Sequence, residues 1–236
     1  MRFNVDLFIK ELPNLLGGAG VTLFITAVSL TIGVTFGLVL AVLRLSKKRY
    51  FNLPAAGFVE VFRGTPMLVQ ILLVHYALIP GLREIQFVNT LEAFFDINLI
   101  RISPAYSGII ALGLNSVAYL GEIFRGGIQS IDRGQREAAL SLGMGETRVM
   151  FHIILPQAIA NALPSICNEF ITLIKDSSLV SWIAVSELTY RASLVGPRTL
   201  EYGTMYIGIA IIYLAMTASL SRVLAILEKR LRRGER

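Results

Sequence analysis

No ionisable side chain interrupts the sequence from Leu12 to Leu43. A helix rising about 1.5 Å per residue needs roughly 20 apolar residues to cross a hydrocarbon core of about 30 Å. A helix suits such a run because each backbone polar group must be satisfied internally where water is absent. A first spanning helix at roughly 19–43 follows. Further apolar runs at about 54–79, 104–124, 156–174 and 202–224 predict five transmembrane helices in one all-α domain covering 1–236. A chain 54% hydrophobic and only 16% charged, with mean hydropathy +0.65, agrees with a polytopic protein and not a soluble enzyme.

Five spans place the termini on opposite sides, and Lys/Arg counting orients them. The side holding the 44–53 and 125–156 connections and the C-terminal tail carries 14 of these residues, against 7 on the other side and Arg63 within a span. The positive-inside rule therefore puts the N-terminus outside and the C-terminus in the cytoplasm. This topology accounts for the net charge of +6, so the chain is not read as a nucleic-acid binder. The N-terminus lacks a small-residue cleavage site, and the first span is expected to be retained. The basic tail from Glu228 to Arg236 suits anionic lipid headgroups. Phe87, Leu91, Phe94 and Phe95 recur at helical spacing and predict a short amphipathic piece in the 81–103 loop.

Small residues at Ser29, Gly33, Gly37 and Ala41 share one face of the first span and permit close helix packing. In the second run, Glu60 and Arg63 stand three apart and are placed to neutralise one another. Gly64 and Pro66 then interrupt the helix, and Pro66 leaves the carbonyl of Phe62 without its usual donor. Broken helices expose backbone groups to transported solutes, which makes Thr65 a candidate binding residue.

Further in, Asn115, Tyr119 and Glu122 fall near one face of the third span, and Asn168 and Glu169 lie in the fourth. A charge at the centre of a spanning helix costs about 2.5 kcal/mol or more. Two readings of these acids are open: structural carboxylates paired with arginine, or groups facing a cavity that attract a cationic ligand. His75 reads as a hydrogen-bonded helix residue, and Lys175 to Leu179, KDSSL, as a turn or gate. Cys167 is the sole cysteine, and no metal-ligand spacing occurs.

The 132–156 segment is polar and falls in the cytoplasm by this topology. Asp132 and Gln135 have the form of a capping box, Gly143 supplies a helix stop, and the intervening helix would bury Ala138, Ala139 and Leu142. A second short helix would present Val149, Met150, Ile153 and Ile154, ending before Pro156, the first residue of the next span.

The run EAALSLGMGETRVMFHIILP, Glu137 to Pro156, resembles the EAA motif of ATP-binding-cassette importer permeases. EVFRGTPMLVQ (Glu60–Gln70), YLGEIFRGGIQ (Tyr119–Gln129), Asn168, Glu169, KDSSL and Glu187-Leu188 resemble the polar amino-acid branch of that family. The resemblance implies a permease subunit in a prokaryotic cytoplasmic (inner) membrane. It would pair with a second permease, identical or not, with a cytosolic ATPase dimer and with an extracytoplasmic amino-acid-binding protein. Glu137, Ala138, Ala139, Gly143, Leu155 and Pro156 would couple to the ATPase. Read from the residues themselves, Thr65, Asn115, Tyr119, Glu122, Asn168 and Glu169 are the candidates to meet substrate; an acidic cavity would favour arginine, lysine or histidine over glutamate, with glutamine or another polar amino acid as the alternative.

No GxxxxGK[ST] pattern occurs, so ATP and Mg are expected on the partner, with no cofactor, metal or catalytic residue in this chain. A passive channel would need charged rings or a filter loop, and neither is present. A membrane enzyme would need a nucleophile motif or metal spacing beside Glu122, Glu169 or His75, also missing. The topology is checked with Ser130→Cys: a membrane-impermeant thiol reagent should label it only from the cytoplasmic side, and labelling in intact cells would overturn the orientation.

Overall fold

A computed structural model describes residues 3–83 and 103–233, with side chains at 3–82 and 103–226. The described residues are helical or connect helices. In chain order the helices are α1 (Val5–Leu45), α2 (Arg49–Gly64), α3 (Met67–Leu73), α4 (Ile79–Arg83), α5 (Pro104–Gln129), α6 (Arg133–Ser141), α7 (Glu146–Val149), α8 (Leu155–Asp176), α9 (Leu188–Thr199) and α10 (Tyr202–Arg233). π turns at Val74–Leu78 and Met150–Ile154 join α3 to α4 and α7 to α8, and a 3₁₀ stretch, Ser177–Ile183, follows α8. The expected amphipathic piece around Phe87 to Phe95 lies outside the described residues.

Four helical rods are long and apolar enough to cross a membrane: Val5–Leu45, Pro104–Gln129, Glu146–Ile183 and Tyr202–Ile226. The second expected span is instead a bent pair, Arg49–Gly64 and Met67–Leu82, folded by 110° at the Gly64–Pro66 break. Counting that pair as one, the spans among the described residues number five. The first begins well before residue 19. Asn4 caps it by accepting from the amide of Leu7 at 3.1 Å, and Pro13 sits within the helix. Its added turns have something to bury, since Leu15 and Ala19 pack on Leu188, Ala192, Met205 and Ile209.

α1 and α5 run side by side in the same direction, and the small-residue face of α1 makes this possible. Ser29, Gly33, Gly37 and Ala41 are all buried. A Cβ on Gly33 would come within 2.2 Å of Ser116 Oγ, and one on Gly37 within 3.0 Å of the Gly121 amide. Ser29 Oγ donates to the carbonyl of Ile109 across the seam at 3.3 Å. Around it, Ile25, Ile71, Leu112, Leu173 and Val180 bring α1, α3, α5, α8 and the 3₁₀ stretch into one core. The outer faces carry exposed Phe24, Phe36, Val39, Tyr206 and Leu214, which suits contact with lipid tails.

Candidate functional site

The break after α2 organises one half of the site. Pro66 has no amide hydrogen, so the Phe62 carbonyl needs another donor, and Thr65 takes the extended backbone expected before proline. Gln70 Nε2 donates to Phe62 O at 2.7 Å, to Thr65 O at 3.0 Å and to Thr65 Oγ1 at 2.9 Å. Asn115 Nδ2, from α5, donates to Phe62 O at 3.2 Å and to Gln70 Oε1 at 2.9 Å. Both amides are buried, so the two side chains tie the bend to the neighbouring span. Thr65 is exposed and borders a cavity of about 470 Å³ formed with Val61, Phe62, Gln70 and Leu114. Gln70 was not among the residues singled out from sequence, although its spacing of four from Pro66 was a readable signal.

Glu60 and Arg63 do not pair. The Arg63 guanidinium instead lies 5.2 Å from the ring centre of Tyr119, a cation–π contact, and Glu60 is exposed. Helical spacing permits the acid–base pair, but the helix ends at Gly64 beside Tyr119 and the arginine turns there. Glu122 meets two arginines: Arg44 Nε at 3.2 Å, and Arg125 with Nη2 at 2.6 Å. Arg44 also donates to Asn52 Oδ1 at 3.2 Å, fixing the connection between α1 and α2. Glu122 thus takes the structural arrangement, its charge met from α1 and from its own helix.

Glu169 is different. It is 8% exposed and makes no hydrogen bond or ion pair with the described residues. Asp176 follows about two turns along the same helix. Beside it an unbroken polar stripe runs down α8: Asn161, Ser165, Asn168, Thr172 and Lys175, exposed except for half-buried Thr172. The spacings of four, three, four and three keep these side chains on one face. A polar face on an apolar spanning helix must meet water or a partner and not lipid. Ser165 and Thr172 were not picked out from sequence; their signal was this periodicity, hidden within a run scored only as hydrophobic.

At the α6 end the stripe opens on a cavity of about 430 Å³ between α5 and α8, lined by Glu122, Gly126, Ser130, Asn161 and Ser165. Asn161 Nδ2 donates to Ser130 Oγ at 3.0 Å across it. At the other end, Lys175 borders a cavity of about 410 Å³ with Tyr213 and Thr217. Ser177 and Ser178 return hydrogen bonds to Ile174 O and Lys175 O, satisfying carbonyls as α8 tightens into the 3₁₀ stretch. Thr65 and Asn115 thus meet through Gln70 at the α2 break and Tyr119 lies under Arg63, whereas Glu122 borders the cavity between α5 and α8, and Asn168 and Glu169 stand on α8.

Glu187 is fully buried and caps α9. It accepts from the amides of Thr189 at 2.9 Å and Tyr190 at 2.7 Å, from Tyr213 OH at 2.9 Å and from Thr22 Oγ1 at 3.3 Å. Burial pushes its carboxyl above the usual range, against the pull of those four donors. It joins α1, α9 and α10 at a single carboxylate. His75 Nδ1 lies 2.9 Å from buried Ser107 Oγ, a structural hydrogen bond.

In the polar 132–156 segment, Asp132 Oδ1 accepts from Gly134 N at 2.6 Å, but no side-chain bond returns from Gln135, so the expected capping box is half formed. Gly143 has φ +80°. Its amide bonds Leu140 O and the next amide, Met144, bonds Ala139 O, the paired bonds of a Schellman stop. Ala139 is buried with Val149 and Ile154, whereas Ala138 is exposed and Leu142 is 84% exposed, contrary to the sequence expectation. The reversal at Gly143 turns the chain away just after Leu142, which leaves that side chain without a neighbour to cover it.

Nor does the second helix stop before Pro156. α7 runs through the π turn into α8, with Leu155 and Pro156 in its first turn, as one rod from Glu146 to Ile183. The wider π turn accommodates the proline without a break. Arg136 Nη2 to Glu146 Oε1, 2.6 Å, clamps α6 to the start of that rod. Glu137 and Ala138 remain on the exposed face.

The family model for the "Binding-protein-dependent transport system inner membrane component" matches residues 33–233. The arginine transport system permease protein ArtQ of Bacillus subtilis (strain 168) is 34% identical over 235 residues, covering 100% of both chains. The L-cystine transport system permease protein TcyB of the same organism is 37% identical over 222 residues, 94% of this chain and 88% of that protein. A crystal structure described as an amino acid ABC transporter with histidines superposes with a TM-score of 0.82 at 39% identity, covering 98% of this chain and 100% of its counterpart.

The amide network at the break is open to direct test. Gln70→Leu should lower the unfolding free energy of the detergent-solubilised protein by about 2 kcal/mol, since it strips the Phe62 carbonyl of its shorter donor. Unchanged thermal unfolding of that variant would show that the knot does not hold the bend.

Proposed function

This chain belongs to the family of binding-protein-dependent transport system inner membrane components, and from that premise we infer that it carries a cationic amino acid inward. At the coarser level it is a membrane-embedded permease of an amino-acid ABC importer and not an enzyme; ATP is hydrolysed by a separate partner. The observation that carries the cationic reading is Glu169, a buried carboxylate with no arginine beside it among the described residues, next to the polar stripe of α8. Glu122 contributes less to that reading, because Arg44 and Arg125 already meet its charge. The arginine named for ArtQ and the histidines of the solved transporter agree with a basic substrate.

A neutral polar amino acid such as glutamine is the second reading. Asn161, Ser165, Asn168 and Thr172 offer amides and hydroxyls without a preference for charge, and the relative TcyB is named for cystine. A passive channel fits less well, since it gives no use to the exposed, clamped loop around Gly143.

In the proposed orientation the N-terminus lies outside and α6 faces the cytoplasm of a prokaryotic inner membrane. Glu137, Ala138, Ala139 and Gly143, with Leu155 and Pro156 at the foot of α8, would transmit closure of an ATPase dimer that binds ATP and Mg. The α8 stripe would face a second permease subunit, the same or a related chain, across the pathway. An extracytoplasmic amino-acid-binding protein would deliver substrate through contacts near α9 and the ends of the spans.

Two measurements test these assignments. Glu169→Gln should weaken arginine binding to the purified complex by tenfold or more, and an unaltered dissociation constant would remove Glu169 from the site. Gly143→Asp places a Cβ in a backbone conformation with φ +80° and a negative charge at a helix C-terminus. It should abolish ATP-driven uptake in vesicles while the permease remains in the membrane; normal uptake would count against coupling at this loop.

A further inference from the structure

On the side of the bundle where α1, α2 and α5 meet, a groove of about 420 Å³ is lined by Ile32, Phe36, Val39, Leu43, Phe58 and Val117, among other side chains that are all apolar. Its volume falls within the roughly 300–1,000 Å³ of ordinary ligand sites. The groove runs along α1 toward the end of the helix at Leu45. Immediately beyond that end stand Lys47, Lys48 and Arg49, all exposed, followed by exposed Tyr50 and Phe51 with their rings 4.5 Å apart. Lys48 Nζ lies 5.9 Å from the Tyr50 ring centre, and Arg44, one turn earlier, is committed to Glu122 and Asn52. Three cations with no carboxylate partner among the described residues therefore crown an apolar slot, with two aromatic rings at the boundary, as befits the edge of a bilayer.

We propose that this groove is a binding site for an anionic phospholipid, one acyl chain lying between α1, α2 and α5 and the phosphate held by Lys47, Lys48 and Arg49. The charge pattern selects this occupant. A helix of another chain would need no cluster of cations at one end, whereas an acidic headgroup attached to a hydrocarbon tail matches both parts. The polar stripe of α8 points the transport pathway elsewhere, and an all-apolar lining has no group with which to hold an amino acid. A lipid wedged here would brace the α1–α2 corner that Arg44 and Asn52 close from within. The site stands independently of which amino acid is carried, so the Glu169→Gln result does not bear on it.

The test is native mass spectrometry of the detergent-purified complex titrated with palmitoyl-oleoyl phosphatidylglycerol or with phosphatidylcholine bearing the same chains. Wild type should retain phosphatidylglycerol about tenfold more tightly than phosphatidylcholine. Replacing Lys47→Gln, Lys48→Gln and Arg49→Gln together should erase that preference, because each basic residue near an anionic surface contributes severalfold. Val39→Trp, at an exposed wall position, should fill the slot and weaken both lipids alike. Undiminished phosphatidylglycerol preference in the triple variant, or undiminished retention in Val39→Trp, overturns the assignment. So does efficient disulfide formation between copies of Val39→Cys in a Cys167→Ser background in membranes, which would make the groove a protein interface.

Discussion

One backbone carbonyl, that of Phe62, governs the shape of the site. A proline inside an apolar bundle removes a donor where water cannot replace it, and an unmet carbonyl there costs on the order of 1–3 kcal/mol. Gln70 and Asn115 supply the missing hydrogens, and because Asn115 belongs to α5, meeting the demand also fixes where the bent pair sits. Thr65 is left exposed at the corner and Arg63 is set over Tyr119. The bend is thus held by Gln70 from its own second arm and by Asn115 from the neighbouring α5.

Glu122, Glu187 and Glu169 illustrate different ways of keeping a carboxylate in an apolar fold. Glu122 is met by two guanidinium groups, Glu187 by four neutral donors, two of them the amides it caps on α9, and Glu169 by neither among the described residues. The first two arrangements are complete within the chain and tie helices together. An acid without such partners costs stability unless something else neutralises it. A bound cation would do so during each transport cycle, and this gives the third arrangement its functional weight.

Much of this was legible in the sequence because periodicity and breakers act locally. The uncharged run marked α1, the small-residue face at Ser29, Gly33, Gly37 and Ala41 marked its packing on α5, and Gly64-Thr65-Pro66 marked the bend. The angle of that bend was not legible, since Gln70 and Asn115 set it through a contact between residues 45 apart. The expected Glu60–Arg63 pair failed for a related reason: helical spacing says which side chains can meet, while Tyr119 on another helix decided which did. Leu142 was assigned to a buried face from helical period alone, but the Schellman stop at Gly143 ends that period one residue later. The stripe on α8 was present as spacing yet overlooked, because hydrophobic averaging over a span dilutes five polar residues among apolar neighbours.

The continuous rod from Glu146 to Ile183 joins the two halves of the proposed function. Its foot is clamped to α6 by Arg136 and Glu146, and its middle carries Asn168 and Glu169. At about 1.5 Å per residue the rod is long enough to reach from the loop to the far side of the bundle without a hinge loop. A stop at Pro156 would have placed a flexible joint between docking surface and binding face. The chain instead passes the π turn and Pro156 without leaving the helix, so the foot clamped to α6 and Glu169 belong to one continuous element that also contains Pro164. Exposed Leu142 at the tip of that clamp then makes physical sense: an apolar side chain in a polar loop gains from being covered, and a partner that covers it grips the short end of a lever.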